Sequence, residues 1–133
     1  MESQNYNVEF EPFAERYYIK AFEKKYKSAW VKTRADVEEV CRRIDAMLEY
    51  RRADLISSVD QYKLVKLDFA VEGTRISPKK SGNRCILLID EDVRLVRVLM
   101  VYSKNDVSPP NETDKWKAII RQNFDDITTI FAL

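Results

Sequence analysis

The sequence contains no histidine, and its 133 residues include only two cysteines, two glycines and four prolines. The missing histidine excludes histidine-based catalytic triads, zinc sites with histidine ligands and imidazole acid–base chemistry. Two cysteines in apolar stretches are too few for a disulfide framework, which favours a reducing cytoplasm. No apolar run approaches the roughly 20 residues that span a bilayer, and the polar N-terminus does not resemble a signal peptide. We therefore expect a cytoplasmic protein without a membrane segment.

Composition indicates one globular domain over residues 1–133. Hydrophobic residues make up 45% of the chain and charged residues 34%, which is typical of a folded domain. The 23 lysines and arginines almost balance the 22 aspartates and glutamates, and the formal net charge is +1. Overall charge therefore predicts no partner, and any nucleic-acid surface must come from local segregation of charge.

The first half of the chain predicts a strand and two helices. Residues 5–10 can form a short strand that Pro12 ends, and helical spacing of apolar residues predicts a helix from Phe13 to about Ser28. The segment Thr33-Arg34-Ala35-Asp36 resembles a capping box and predicts that a second helix begins there. Apolar residues at helical spacing carry this helix to about Arg52.

The second half changes to strand periodicity. Apolar residues alternate with polar ones over 65–71, and residues 84–89 and 93–102 form two aliphatic runs joined by the turn residues 90–92. Caps at 111–114 predict a last helix with Trp116 on its apolar face. The tail, residues 125–133, either packs on the domain or engages a partner.

This order of elements predicts an α+β domain in which a helical hairpin packs on one face of an antiparallel sheet and is followed by a C-terminal helix. We expect the opposite face of the sheet to be partly open and to be the natural place for a site. Residues 62–84 support a site in this region, because six cations outnumber two carboxylates there. The cations are Lys63, Lys66, Arg75, Lys79, Lys80 and Arg84, and the carboxylates are Asp68 and Glu72.

Short segments in the same region carry a resemblance to a known family. They are KL at 66–67, GTRI at 73–76, KSGNR at 80–84, ILLID at 86–90 and YSKND at 102–106, preceded by a helix-like segment YIKAFEKKY at 18–26. Together they resemble the RelE/ParE toxin superfamily of bacterial toxin–antitoxin systems, over roughly residues 8–124.

The resemblance implies a RelE-like fold and a metal-independent endoribonuclease, an mRNA interferase that cleaves ribosome-bound mRNA through the RNA's own 2′-OH. It implies no cofactor and no metal, and it implies a cognate antitoxin protein as partner. Two alternatives stay open, which are a toxin of the gyrase-inhibiting ParE branch and a non-catalytic binding module of the same fold.

The resemblance also assigns roles to residues. Arg84 is expected to clamp a phosphate, and Lys66, on the open side of its strand, to act as base or electrostatic stabiliser. Lys104 is the candidate acid or second clamp. Arg75 and Lys80 would track the RNA backbone. Tyr102 would stack on a base, or alternatively pack in the sheet.

Overall fold

A computed structural model describes residues 5–104 and 111–133 of the protein. Pro12 sits at the start of the first helix, where its fixed φ and missing N–H are tolerated. In chain order the elements are β1 (Asn7–Phe10), α1 (Pro12–Ala14), a π-helical turn (Glu15–Ile19), α2 (Lys20–Tyr26), α3 (Ser28–Arg42), α4 (Ile44–Glu49), β2 (Ala53–Val59), β3 (Tyr62–Phe69), α5 (Pro78–Ser81), β4 (Asn83–Asp90), β5 (Leu95–Ser103), α6 (Glu112–Asn123) and α7 (Asp125–Phe131).

The strands form one five-stranded sheet in the order β1-β5-β4-β3-β2. Strands β2 to β5 are an antiparallel meander, and β1 joins its edge parallel to β5. The predicted α+β class is therefore confirmed, and the sheet departs from the predicted antiparallel arrangement only at β1 among the described strands. The predicted strands at 65–71, 84–89 and 93–102 correspond to β3, β4 and β5. Strands β4 and β5 read as nearly continuous aliphatic runs because both of their faces are buried.

Helices α2 and α3 cover one face of the sheet, as the sequence predicts for the helical hairpin. Lys27, whose φ is +53°, separates the two helices. The predicted helix start at Thr33 is wrong, because α3 already begins at Ser28 and Thr33 lies inside it. The Thr33 hydroxyl instead donates to the carbonyl of Ala29 and accepts from the backbone N–H of Glu72.

The opposite face of the sheet is also covered, so the expectation of a partly open face is wrong for the described residues. Helices α6 and α7 form a third layer with their own apolar core, and the tail after residue 124 packs on the domain as α7. The buried residues of this second core are Leu64, Ile86, Leu88, Leu99, Met100, Tyr102, Trp116, Ile120, Phe124, Ile127 and Phe131.

Within residues 5–104 and 111–133, no helix has the length and apolar content needed to cross a bilayer.

Strand β2 has no counterpart in the sequence-based prediction. Its residues, Ala53–Val59, are mostly exposed or half-buried, because β2 lies at the edge of the sheet. A bulge between Leu55 and Ser57 also interrupts its pairing with β3, which breaks the alternation on which the prediction depends.

The third layer predicts a large stability cost for Ile127→Ala. Ile127 is completely buried in the second core, so truncation should lower the free energy of unfolding by about 3 kcal/mol. Thr129→Ala is the matched control on the exposed side of α7 and should change it by less than about 0.5 kcal/mol. Urea unfolding measures both. Equal small losses for the two variants would contradict the docking of α7 on the sheet.

Candidate functional site

One end of the sheet brings together most of the predicted site residues. Phe69, Asn83 and Ser103 lie side by side there on β3, β4 and β5. The Ser81 hydroxyl secures the loop that leads into β4. Its Oγ lies 2.6 Å from the carbonyl oxygen of Phe69 and accepts a hydrogen bond from the backbone N–H of Asn83 at 3.0 Å.

Gly82 and Lys104 meet at this end of the sheet. The backbone N–H of Lys104 donates to the carbonyl of Gly82 at 2.7 Å. Gly82 has a φ of +77°, and a Cβ at this position would lie 3.1 Å from Cγ of Lys104. Glycine suits this position for two reasons. It adopts the left-handed backbone conformation at low cost, and its missing side chain leaves room for the aliphatic part of Lys104.

Four exposed cations surround this end of the sheet. Arg75 lies on the loop after β3, Lys79 and Lys80 lie on α5, and Lys104 follows β5. The Ser77 hydroxyl accepts from the backbone N–H of Lys80 and caps α5. We call these four residues the cationic end.

A buried ion-pair cluster lies next to the cationic end, on the face covered by α6. The Nε atom of Arg84 is 3.1 Å from Oδ1 of Asp68 and 4.0 Å from Oε2 of Glu112, and the side chains of Arg84 and Asp68 are only 12% and 16% exposed. The Nε–Oδ1 contact lacks hydrogen-bond geometry. Tyr102 donates its hydroxyl hydrogen to Glu112 at 2.7 Å. We call Asp68, Arg84, Tyr102 and Glu112 the Asp68 cluster.

Burial raises the pKa of Asp68 above its usual range, although Arg84, Lys66 and Lys79 each act to lower it. A carboxyl whose pKa rises despite three neighbouring cations is a candidate proton acceptor, because perturbed titrations concentrate at functional sites. The sequence analysis counted Asp68 only as a charge. What marks Asp68 is the strand register, which places it directly opposite Arg84 across β3 and β4 and which no local sequence pattern reports.

The structure brings Lys66 and Arg84 to the same carboxyl of Asp68, while Lys104 lies across Gly82. Lys66 is half-buried on the face that α6 and α7 cover, so its expected open surroundings are absent from the described part of the chain. Tyr102 is fully buried, which leaves its ring no face for a base and favours the packing interpretation. The segment predicted at 102–106 reaches outside the described residues after Lys104.

The described residues also limit other chemistry. No group of three or more histidine, cysteine, aspartate or glutamate residues within 5–104 and 111–133 is placed to hold a metal ion. Burial raises the pKa of the Cys41 thiol to about 12 and raises that of Cys85 as well. Neither thiol is therefore suited to act as a nucleophile near neutral pH.

Comparisons with known proteins add no assignment. No family model, no curated protein and no solved structure matches this chain. The functional argument therefore depends on the residues and their geometry.

The raised pKa of Asp68 predicts a pH-dependent difference between the wild type and Asp68→Asn. The folded state holds the Asp68 proton more tightly than the unfolded state, whose ordinary pKa is 3.8. Asp68 therefore contributes stability at low pH that is lost as the pH rises through the folded-state pKa. The free energy of unfolding of the wild type, minus that of Asp68→Asn, should fall as the pH rises above the unfolded-state value of 3.8. Urea unfolding at a series of pH values measures the difference. A difference that stays constant or grows with pH would contradict the burial argument.

Proposed function

We propose that the protein is a toxin of the RelE/ParE kind, a cytoplasmic endoribonuclease that cleaves ribosome-bound mRNA without a metal or cofactor. The observation that carries the proposal is the exposed cationic end beside the Asp68 cluster. Four cations with solvent access adjoin a carboxyl of raised pKa and a partly buried arginine. These are the residue types that metal-independent RNA cleavage requires.

The cationic end supplies the electrostatic part of RNA binding. Arg75, Lys79, Lys80 and Lys104 are all exposed, so each can neutralise a phosphate and release a condensed counterion. RNA binding should weaken steeply as salt rises.

The chemistry follows from the groups around Asp68. The RNA 2′-oxygen attacks the adjacent phosphorus, the bond to the 5′-oxygen breaks, and the products are a 2′,3′-cyclic phosphate and a 5′-hydroxyl. Asp68 accepts the 2′-OH proton, and Lys66 beside it acts as an electrostatic stabiliser. Arg84 stabilises the charge that develops on the phosphate oxygens, and Lys104 protonates the leaving 5′-oxygen or acts as a second clamp.

The expected antitoxin acts on the same surface. An acidic segment of an antitoxin, laid over Lys79, Lys80 and Lys104 as a helix or strand, would neutralise the cations that RNA needs. RNA and antitoxin would then bind in competition, and the complex would be inactive.

One observation favours a second function, a non-catalytic RNA-binding module of the same fold. Asp68 and Glu112 already neutralise Arg84 in the folded protein, and a phosphate can use its guanidinium only by competing with two carboxylates. In this case the cationic end binds RNA and no bond is cleaved.

Arg84→Gln is expected to slow RNA cleavage by at least about 100-fold, because it removes a cation aimed at the charge of the transition state. The measurement is the release of labelled fragments with 2′,3′-cyclic phosphate ends from mRNA, with and without translating ribosomes and in the presence of a chelator. Lys66→Gln, at a half-exposed position, gives a second variant that leaves the ion pair intact.

Arg121→Gln is the matched control, since Arg121 is exposed on α6 away from the cationic end, and it should cleave like the wild type. Circular dichroism at the assay temperature confirms that each variant is folded. Wild-type protein that binds RNA and yields no fragments on or off the ribosome would overturn the nuclease and support the binding module. A folded Arg84→Gln variant with full cleavage would overturn the assignment of Arg84.

A further inference from the structure

A small cavity of about 70 Å³ lies at the same sheet end, on the opposite face from the Asp68 cluster. Helix α2 forms one side of it, and the ends of β4 and β5 form the other. Gly82 precedes the lining residue Asn83, and Lys104, which follows the lining residue Ser103, lies across Gly82 and belongs to the cationic end. The residues that line the cavity are Ala21, Phe22, Lys25, Tyr26, Asn83 and Ser103.

Asn83 contributes a buried polar group to this cavity. The residue is 7% exposed. Its backbone N–H donates to Ser81, and its carbonyl accepts from Arg84. Its side-chain amide has no hydrogen-bond partner among residues 5–104 and 111–133. The amide nitrogen and oxygen are not among the fully buried side-chain atoms that lack a partner, so they keep contact with solvent. An amide offers both donors and an acceptor, and a ligand in the cavity can form hydrogen bonds with them.

A column of stacked aromatic rings ends in the cavity. Trp30 and Phe22 stack with centroids 4.9 Å apart, and Phe22 and Tyr26 stack with centroids 6.0 Å apart. Tyr26 is the outer member and is half-buried. The Nζ atom of Lys25 lies 5.2 Å from the centroid of the Tyr26 ring. The cavity therefore combines an aromatic surface, an amide and a cation.

We infer that this cavity is a subsite for one nucleotide base of a single-stranded RNA. The base contacts Tyr26, its polar edge pairs with the Asn83 amide, and Lys25 and Lys104 hold the flanking phosphates. Stacking on aromatic rings and hydrogen bonding to a base edge are the usual means of reading unpaired RNA. A volume of about 70 Å³ admits the edge of one ring, so the subsite selects a single nucleotide. The inference rests on RNA being the ligand of the proposed function.

The test is an NMR titration of the intact protein with the four nucleoside 5′-monophosphates and with ribose 5-phosphate. We expect the nucleotides to shift the side-chain amide signals of Asn83, to different extents for different bases, and ribose 5-phosphate to leave these signals in place. Asn83→Ala should weaken nucleotide binding by about fivefold, the value of one net hydrogen bond. Tyr26→Leu should weaken it by at least about fivefold through lost stacking.

Asn123→Ala is the matched control, because the exposed Asn123 amide bonds to the carbonyl of Ile119 within its own helix, and it should bind like the wild type. Tyr26→Leu leaves the sheet untouched and keeps the test valid if Asn83→Ala is unstable. Ribose 5-phosphate shifting the Asn83 signals as strongly as the nucleotides would overturn the base subsite. So would unchanged nucleotide affinity in folded Asn83→Ala and Tyr26→Leu.

The cleavage assay on the same variants separates the two proposals. Wild-type cleavage with unchanged cut-site preference and RNA affinity in both variants overturns the base subsite and leaves the nuclease standing. Base-dependent nucleotide binding in a protein that does not cleave RNA supports the subsite and removes the nuclease.

Discussion

The fold depends on the apolar contact between helix α6 and the sheet. Trp116 and Ile120 are buried against β4 and β5, and their burial fixes α6 over a face that the sequence alone leaves open. Because α6 begins at Glu112, the same contact brings this carboxylate to the Tyr102 hydroxyl and the Arg84 guanidinium. A cation that would otherwise face solvent becomes part of a partly buried ion-pair cluster. The packing of α6 on the sheet therefore determines which charged side chains stay exposed and able to bind another molecule.

The candidate functional side chains consequently lie at one end of the sheet and not on an open face. The loop 70–82 and Lys104 meet at Gly82, with the carboxyl of Asp68 on one side and the amide of Asn83 on the other. A polyanion that lies across this end would meet exposed lysines first, and its phosphates and bases would then reach opposite faces. The two proposals are therefore linked through geometry, while each depends on its own residues. The ion pair of Arg84 makes catalysis the more demanding of the two, since phosphate must replace a carboxylate.

Local patterns in the sequence predicted much of the fold. Strands β3, β4 and β5 follow from alternation and aliphatic runs, and Trp116 is buried as expected. The errors arise where distant parts of the chain decide the outcome. Strand β2 is a bulged edge, and its pattern is set by its neighbour β3. The start of α3 is set by the left-handed backbone at Lys27.

The candidate site was predicted as a region of the chain, and its internal contacts were not. Positive charge over 62–84 pointed to the segment that supplies three of the four residues of the cationic end, and Lys104 follows β5. The carboxylate partners of Arg84 come from β3 and from α6. No local sequence pattern reports the register of β3 against β4 or the position of α6 on the sheet.

The most direct test of this account is a double-mutant cycle between Tyr102→Phe and Glu112→Met, measured as the free energy of unfolding. The hydroxyl and the carboxylate are 2.7 Å apart, and a partly buried hydrogen bond to a charged acceptor predicts a coupling energy of about 1.5 kcal/mol. A coupling of this size shows that α6 lies on the sheet with Glu112 inside the Asp68 cluster. A coupling indistinguishable from zero in folded variants would contradict the covered face and the ion-pair cluster beneath it.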